Sequence, residues 1–272
     1  METWYKAIRQ DGTSWYDGVT RWSPGLVTKV HNPNKRGTCG HGIHLAKTLC
    51  GAISYQQGPS DYIICEPYGR KWAEDEFQAR FTGARYIRML SKEEQDELAG
   101  FKLWEANHPV NPLLIERDES LDLQALLREW VSIWASVEVS ISFSFSVADS
   151  IRASAWFCIL DSVKVSVRES VRFGLEESVL NALRTSVVTD VLSSLASARV
   201  SVKDAVMAYI GGLFPNITKW EYIKGSDPWR PLLTLWYGGY VPSFDGSKWR
   251  LHAGKQADVV FGPMKIKPEK RR

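Results

Sequence analysis

A small side chain occupies nearly every fourth position between residues 146 and 198, and an aliphatic side chain usually follows it. The small positions begin with Ser146, Ser150, Ser154, Cys158 and Ser162 and continue in the same step to Ala198. Four earlier tetrads, from Ser132 to Ser144, follow the same pattern two residues out of phase. The chain therefore contains a tetrapeptide repeat of the form small-aliphatic-x-x.

A four-residue period fits a β-strand, whose side chains alternate with a period of two. On one straight α-helix the same stripe would drift by about 40° per tetrad and wrap around the axis. The repeat therefore predicts a β-solenoid with sides of one tetrad, aliphatic residues inward and small residues at the corners. Packed helices that each use part of the drifting stripe are the alternative, because residues 168–207 contain Leu, Glu, Arg and Ala but no proline.

Both flanks of the repeat predict mixed α and β structure. Alternating apolar residues and turn signals predict strands at residues 4–8, 62–65 and 85–90, helices at 120–130, 203–210 and 229–237, and a β-hairpin around Asp245-Gly246. The predicted organisation is an α+β domain (1–104), a linker (105–118), a solenoid with a capping helix (119–202), a helix and hairpin module (203–264) and a basic tail (265–272).

Composition narrows the classes of function. The 272-residue chain is 44% hydrophobic with a net charge of +3, so nucleic-acid binding beyond weak contacts of the basic tail is not expected. Four cysteines are too few for a disulfide scaffold of this size. Neither a secretory signal nor a long apolar run is found, so we expect a cytoplasmic protein without a membrane partner.

Large apolar side chains occupy the outer positions of the repeat. In the solenoid arrangement these exposed residues would be Trp134, Val139, Trp156, Phe157 and Phe173. A monomer rarely leaves so much aromatic surface in water, so we expect this face to bind a second copy or another protein.

Cysteine and histidine are concentrated between residues 39 and 50. Cys39, His41, His44 and Cys50 are residue types that bind tetrahedral zinc. Their spacing matches no common zinc module, and buried thiols beside a turn explain them better. We therefore predict no metal, and these four residues are weak candidates.

The same stretch, CGHGIHLAKTLCGAISY at residues 39–55, resembles a motif of the poly(ADP-ribose) polymerase-like ADP-ribosyltransferases. In that family a Gly-x-Gly-Ile-Tyr segment opens a strand, and a tyrosine after the next short helix stacks on nicotinamide. The resemblance implies an NAD site in which Tyr55 stacks on the ring, His44 replaces the tyrosine of the first segment, and Gly42 and Arg9 lie near the cofactor.

The family also places a catalytic glutamate before its last strand. Residues 82–85, the matching place in this chain, contain no carboxylate, so Glu74 and Glu76 are the candidates. The repeat and the C-terminal hairpin resemble segments of uncharacterised bacterial and phage proteins, a resemblance that implies no activity. The sequence thus favours a structural or interaction protein with a repeat scaffold; the alternative is an NAD-binding, ADP-ribosyltransferase-like enzyme.

Overall fold

The computed structural model describes residues 2–30, 41–136, 147–151, 157–186, 191–220, 223 and 227–264. The chain divides into two units, the first formed by residues 1–108 with 157–167 and the second by residues 109–156 with 168–272. One helical piece of the repeat therefore belongs to the N-terminal unit, and the remainder belongs to the C-terminal unit.

Eight helices are bounded in the described residues: α1 (Leu49–Ile53), α2 (Lys92–Ala99), α3 (Leu103–Asn107), α4 (Leu123–Ser136), α5 (Phe157–Val167), α6 (Phe173–Ser186), α7 (Val191–Gly212) and α8 (Arg230–Tyr237). Helices α1, α2, α3 and α5 belong to the first unit, and the others to the second. Short 3-10 and π segments cover Pro112–Leu114 and Arg168–Arg172, and residues 147–151 are also helical.

The first unit contains a five-stranded antiparallel sheet with the order β2-β5-β3-β1-β4. Its strands are β1 (Trp4–Arg9), β2 (Val27–Lys29), β3 (Ile43–Ala46), β4 (Ser60–Glu74) and β5 (Gln78–Met89). Because β4 also pairs with β5, the hydrogen bonding closes around the sheet and leaves few free edges. The strands predicted at residues 4–8 and 62–65 are confirmed within β1 and β4.

Closure of this sheet is incomplete at one seam. Strand β1 pairs along its whole length with β4, but its register with β3 consists of the single pair Tyr5 and Ala46. Alternate residues of β1, Trp4 and Ile8 among them, point into a core that also contains Trp22 and Phe81. The seam between β1 and β3 therefore has far less strand pairing than the seam between β1 and β4.

The second unit packs helices against a three-stranded antiparallel sheet. Its strands are β6 (Val241–Phe244), β7 (Trp249–Ala253) and β8 (Asp258–Met264), in that order. The predicted hairpin is confirmed, since β6 and β7 meet at Asp245-Gly246 and Gly246 has a φ of +90°. The predicted helix near residues 229–237 is confirmed as α8, and Trp236 of this helix stacks on Tyr209 with ring centroids 4.9 Å apart.

The solenoid prediction is wrong. All described residues of the repeat are helical, in α4 through α7 and the segments between them, and the described strands lie elsewhere in the chain. The tetrads are therefore used as the packed-helix alternative expected, in several shorter helices rather than in a β-solenoid.

One straight helix could not keep the aliphatic stripe on a single buried face, but several packed helices can bury it. The aliphatic tetrad positions are nearly inaccessible to solvent at Val163, Val167, Val171, Leu175, Val179 and Leu183. Between α5 and α6 lies the π segment Arg168–Arg172, whose hydrogen bonds span five residues instead of four. This wider turn winds more slowly than an α-helix, so it offsets part of the drift of a period-four stripe.

Within the described part of the chain, no helix combines the length and the apolar character needed to cross a membrane. The cytoplasmic location stays a prediction.

Candidate functional site

A cavity of about 280 Å³ lies in the N-terminal unit beside the seam between β1 and β3. Four parts of the unit line it: β1, the turn after β1, the stretch from β3 to Gln57 just beyond α1, and Gln78 at the start of β5. Its aromatic lining residues are Tyr5, Trp15, Tyr16 and Tyr55, and its polar ones are Lys6, His44, Gln57 and Gln78. The cavity therefore combines flat apolar walls with a few hydrogen-bonding groups, as small-molecule sites do.

Tyr55 and His44, the two residues singled out by the motif, both line this cavity. His44 is on β3, and Tyr55 follows α1, which Thr48 caps by accepting a hydrogen bond from the Gly51 amide at 3.1 Å. The next residue, Gln56, is buried and donates to the Ser166 hydroxyl at 3.1 Å. A capped helix and a buried anchor thus fix the backbone on both sides of Tyr55.

Trp15 and Tyr16 form the wall contributed by the turn after β1. The Trp15 indole donates to the Ser60 hydroxyl at 2.8 Å, and the Arg9 guanidinium lies 5.0 Å from the centre of the Trp15 ring. Arg9 does not itself line the cavity; it contacts a residue that does. Tyr16 has 86% of its surface exposed and Tyr55 has 53%, so two tyrosine rings of this cavity remain open to solvent.

Gly42 leaves room for the Arg80 side chain and does not line the cavity. A β-carbon at residue 42 would lie 2.7 Å from the Arg80 Cγ, and Arg80 is fully buried. The Arg80 guanidinium donates to the carbonyl of His41 at 2.9 Å. Gly42 is absent from the cavity lining, so the structure assigns this glycine to the close passage of an arginine stem.

Gln78 occupies the place next to the cavity where β5 begins. The turn before it is built by Asp75, whose carboxylate accepts from the amides of Phe77 and Gln78 at 2.9 and 2.8 Å. Gln78 is buried and pairs with Ala46 of β3. Its amide can both donate and accept hydrogen bonds but carries no charge.

The candidate catalytic carboxylates do not reach the cavity. Glu74 forms an ion pair with Lys47 at 2.8 Å and a second one with Lys71. Hydrogen bonds from Lys47 and then Lys71 lower the pKa of Glu74. Glu76 is exposed in the turn between β4 and β5. Among the described residues that line the cavity there is no aspartate or glutamate.

The zinc candidates do not converge in the described part of the chain. His41 is exposed, Cys50 is half-buried on α1, and Cys39 lies outside the described residues. No group of three or more His, Cys, Asp or Glu side chains suited to a metal ion occurs within the described ranges.

The C-terminal sheet contains a second polar cluster, centred on His252 of β7. Its Nδ1 lies 2.8 Å from the Ala257 carbonyl, and its Nε2 lies 2.7 Å from the Ser243 hydroxyl. Since a carbonyl only accepts, Nδ1 carries the proton and Nε2 accepts from Ser243. Burial lowers the pKa of His252 to about 4. Both side chains are completely buried, so the cluster fastens β6 to β7 and offers no access to a substrate.

The five residues predicted to form an interaction surface lie mostly beyond what is described. Val139 and Trp156 are outside the described residues, and the side chains of Phe157 and Phe173 are not described. Trp134 packs within the second unit, 5.3 Å from the Trp249 ring, and its indole donates to Asp204 at 2.9 Å. Self-association and binding of another protein stay predictions, and the basic tail also lies outside the described residues.

Sequence reasoning missed Lys6, Trp15, Gln57 and Gln78 as lining residues. One signal was present: Lys6 interrupts the alternation Trp4-x-Lys6-x-Ile8, where an apolar residue is expected. For Gln78 no local signal exists, because only the pairing of β5 with β3 brings it to the cavity. The chain matches no protein-family model, no curated protein and no solved structure.

Proposed function

We propose that the N-terminal unit is a ligand-binding module whose cavity takes a planar ring carrying an amide, with the nicotinamide end of NAD as the candidate ligand. The observation that carries this proposal is that Tyr55 and His44, identified from one short motif, line a single cavity with three further aromatic residues.

The aromatic side chains support a flat ligand. Tyr16 and Tyr55 line the cavity and yet expose much of their rings to water. A planar ring placed against an aromatic side chain gains about 0.5–1.5 kcal/mol beyond simple burial of area. Two such rings would stabilise a heteroaromatic group without requiring any one pattern of hydrogen bonds.

The polar groups support an amide substituent. The side chains of Gln57 and Gln78 each offer an N–H donor and a carbonyl acceptor, the complement of a carboxamide. The volume of about 280 Å³ lies near the lower end of small-molecule sites, which begin at about 300 Å³. It suits one ring with its sugar better than a whole dinucleotide, whose remainder would extend into solvent.

The described residues that line the cavity include no carboxylate, which favours binding of the ligand over ADP-ribosyl transfer. Cleavage of the bond between nicotinamide and ribose develops positive charge on the sugar, and an ionised carboxylate stabilises that charge. The cavity presents the neutral amide of Gln78, while Glu74 is engaged by Lys47 and Lys71. We therefore expect the unit to hold the ligand without cleaving it.

Calorimetric titration of the full chain with NAD, nicotinamide and AMP tests this proposal. We expect NAD and nicotinamide to bind and AMP to bind at least about tenfold more weakly, because AMP lacks the amide-bearing ring. Tyr55→Ala should weaken NAD binding by about tenfold, the loss of one stacking contact of about 1.4 kcal/mol. Tyr68→Ala is the matched control, since Tyr68 is an exposed tyrosine of the same unit that does not line the cavity.

Two results would contradict the proposal. Equal affinity for AMP and NAD would remove the nicotinamide ring as the recognised group. Release of nicotinamide from NAD that disappears in Glu74→Gln would replace binding by catalysis and restore the enzyme alternative.

A further inference from the structure

Lys6 occupies a position on β1 that normally belongs to an apolar side chain. Successive residues of a strand face opposite sides, so Lys6 shares its side of β1 with the core residues Trp4 and Ile8. An ammonium group placed beside a core loses most of its hydration, which is costly unless a counter-charge replaces the water. The surroundings of this lysine therefore decide its chemical state.

Those surroundings compensate the charge only weakly. The Lys6 Nζ lies 3.4 Å from the carbonyl oxygen of His44 and 5.3 Å from the centre of the Trp22 ring. Within the described ranges, no carboxylate oxygen forms an ion pair with it at 4.0 Å or less. Lys47 differs, since it pairs directly with Glu74 at 2.8 Å.

The electrostatics follow this geometry. Burial lowers the pKa of Lys6, and the negative charge of Asp17 offsets that effect only in part. The Cys65 thiol is neutral near pH 7, because burial raises its pKa to about 12. Pairing with Glu74 instead raises the pKa of the half-buried Lys47. At neutral pH, a larger fraction of Lys6 than of Lys47 is therefore the neutral amine. A neutral amine in a desolvated cavity is a nucleophile.

Lys6 can also be reached. It lines the 280 Å³ cavity, and so does His44, whose carbonyl accepts from its Nζ. The rings of Tyr5, Trp15 and Tyr55 line the same cavity as the Lys6 side chain. A half-buried lysine that lines a cavity, weak charge compensation and aromatic walls thus occur together at the seam between β1 and β3.

We propose that Lys6 is a nucleophilic amine that forms an imine with an aromatic aldehyde bound in this cavity. The lone pair on Nζ attacks the carbonyl carbon, and a proton moves from nitrogen to the former carbonyl oxygen. The resulting hydroxyl group leaves as water together with the second proton of the nitrogen, and the C=N bond remains. No oxidant or reductant is needed, and water reverses the step. The inference uses the cavity but does not rest on its binding nicotinamide.

Reductive trapping tests the reactivity of Lys6. The full chain is incubated near pH 7 with pyridine-3-carbaldehyde, a planar aldehyde, and the imine is reduced with cyanoborohydride before intact-mass measurement and peptide mapping. We expect one dominant adduct at Lys6, formed at least about tenfold faster than adducts at the exposed Lys29 and Lys255, because the cavity holds the aldehyde beside this side chain. Mapping separates this adduct from modification of the chain's α-amino group.

Variants and unfolding provide the controls. Lys6→Arg should abolish the dominant adduct, and Lys47→Arg, which removes a lysine outside the cavity, should leave it unchanged. If Lys6→Arg does not fold, the unmodified chain labelled in urea gives the same information, because selectivity for Lys6 should then disappear. Labelling spread evenly over the lysines, or no adduct at Lys6, would overturn the inference.

The nicotinamide titration distinguishes failure of this inference from failure of the proposed ligand. An adduct at Lys6 without nicotinamide binding would refute the ligand and keep the reactive amine. Nicotinamide binding without an adduct at Lys6 would keep the ligand and refute the reactive amine.

Discussion

Lys6 in the N-terminal sheet and His252 in the C-terminal sheet are both basic side chains placed beside a core, and their surroundings differ. His252 in the C-terminal sheet is completely buried, and both of its ring nitrogens have hydrogen-bond partners below 3 Å. Lys6 in the N-terminal sheet has one carbonyl at 3.4 Å and lines a cavity. The first group is closed off and satisfied, whereas the second is accessible and weakly compensated.

This difference shows why residue types alone do not identify a site. A serine hydroxyl that donates to an imidazole is the arrangement of a Ser–His nucleophile, and Ser243 with His252 reproduces its distance. No substrate can reach that pair, because both side chains are fully buried. Access and incomplete hydrogen bonding separate a candidate site from a structural polar cluster.

Replacement of the buried His252 should have the largest effect on the free energy of unfolding. His252→Ala leaves the buried Ser243 hydroxyl and Ala257 carbonyl without their partner and creates a cavity, so we expect the free energy of unfolding to fall by about 3 kcal/mol at pH 7.5. Urea denaturation followed by circular dichroism measures this. His108→Ala, at a half-buried histidine whose hydrogen bond is local, should cost less than about 1 kcal/mol. Equal costs would show that the cluster does not stabilise the fold.

The same histidine should make stability depend on pH. Its pKa is about 4 in the folded chain and about 6.5 in the unfolded chain, so the unfolded chain takes up the proton first as the pH falls. The stability is complete above pH 6.5 and decreases towards pH 4, by about 2 kcal/mol between pH 6.5 and 4.5. Denaturation midpoints at several pH values measure the slope. His252→Gln should remove this part of it, and an unchanged slope would contradict the assignment.

Sequence reasoning worked best where one short segment determines the backbone. The hairpin at Asp245-Gly246 was predictable because the glycine φ of +90° is a local requirement of the turn. Tyr55 and His44 line one cavity for a similar reason, since His44 is on β3 and Tyr55 follows the next helix, α1. Their binding of a cofactor stays a prediction. Lys6 and His44 are 38 residues apart, and only the pairing of strands brings them to one cavity.

The repeat shows the opposite situation. A four-residue period is compatible with a strand and, after correction of its drift, with helices, so periodicity alone did not choose between them. Packing decided the outcome, and a π segment such as Arg168–Arg172 has no sequence signal that we used. The Cys39 and Val139 predictions fall outside the described residues and stay open.

Two serines in the same tetrad position, Ser166 and Ser170, can show whether local packing or the repeat itself requires a small residue there. Ser166 is fully buried and its hydroxyl accepts from Gln56 at 3.1 Å, whereas Ser170 is exposed. Ser166→Val should lower the free energy of unfolding by about 1.5 kcal/mol, because the buried Gln56 amide loses a partner. Ser170→Val should change it by less than about 0.5 kcal/mol. Thermal denaturation of both variants measures the difference, and equal effects would mean that the tetrad position itself, not its local packing, sets the requirement.

Replacement of Lys6 should change the free energy of unfolding least, and in the opposite direction to the replacement of His252. Lys6→Met keeps the length of the side chain and removes a charge that has no close carboxylate among the described residues, so we expect the free energy of unfolding to stay unchanged or to rise by up to about 1 kcal/mol. Urea denaturation at pH 7 measures it. A decrease of more than about 2 kcal/mol would mean that the Lys6 bond to the His44 carbonyl holds the seam between β1 and β3 together. In that case Lys6, like His252, would be a structural group, and the difference between the two units would disappear.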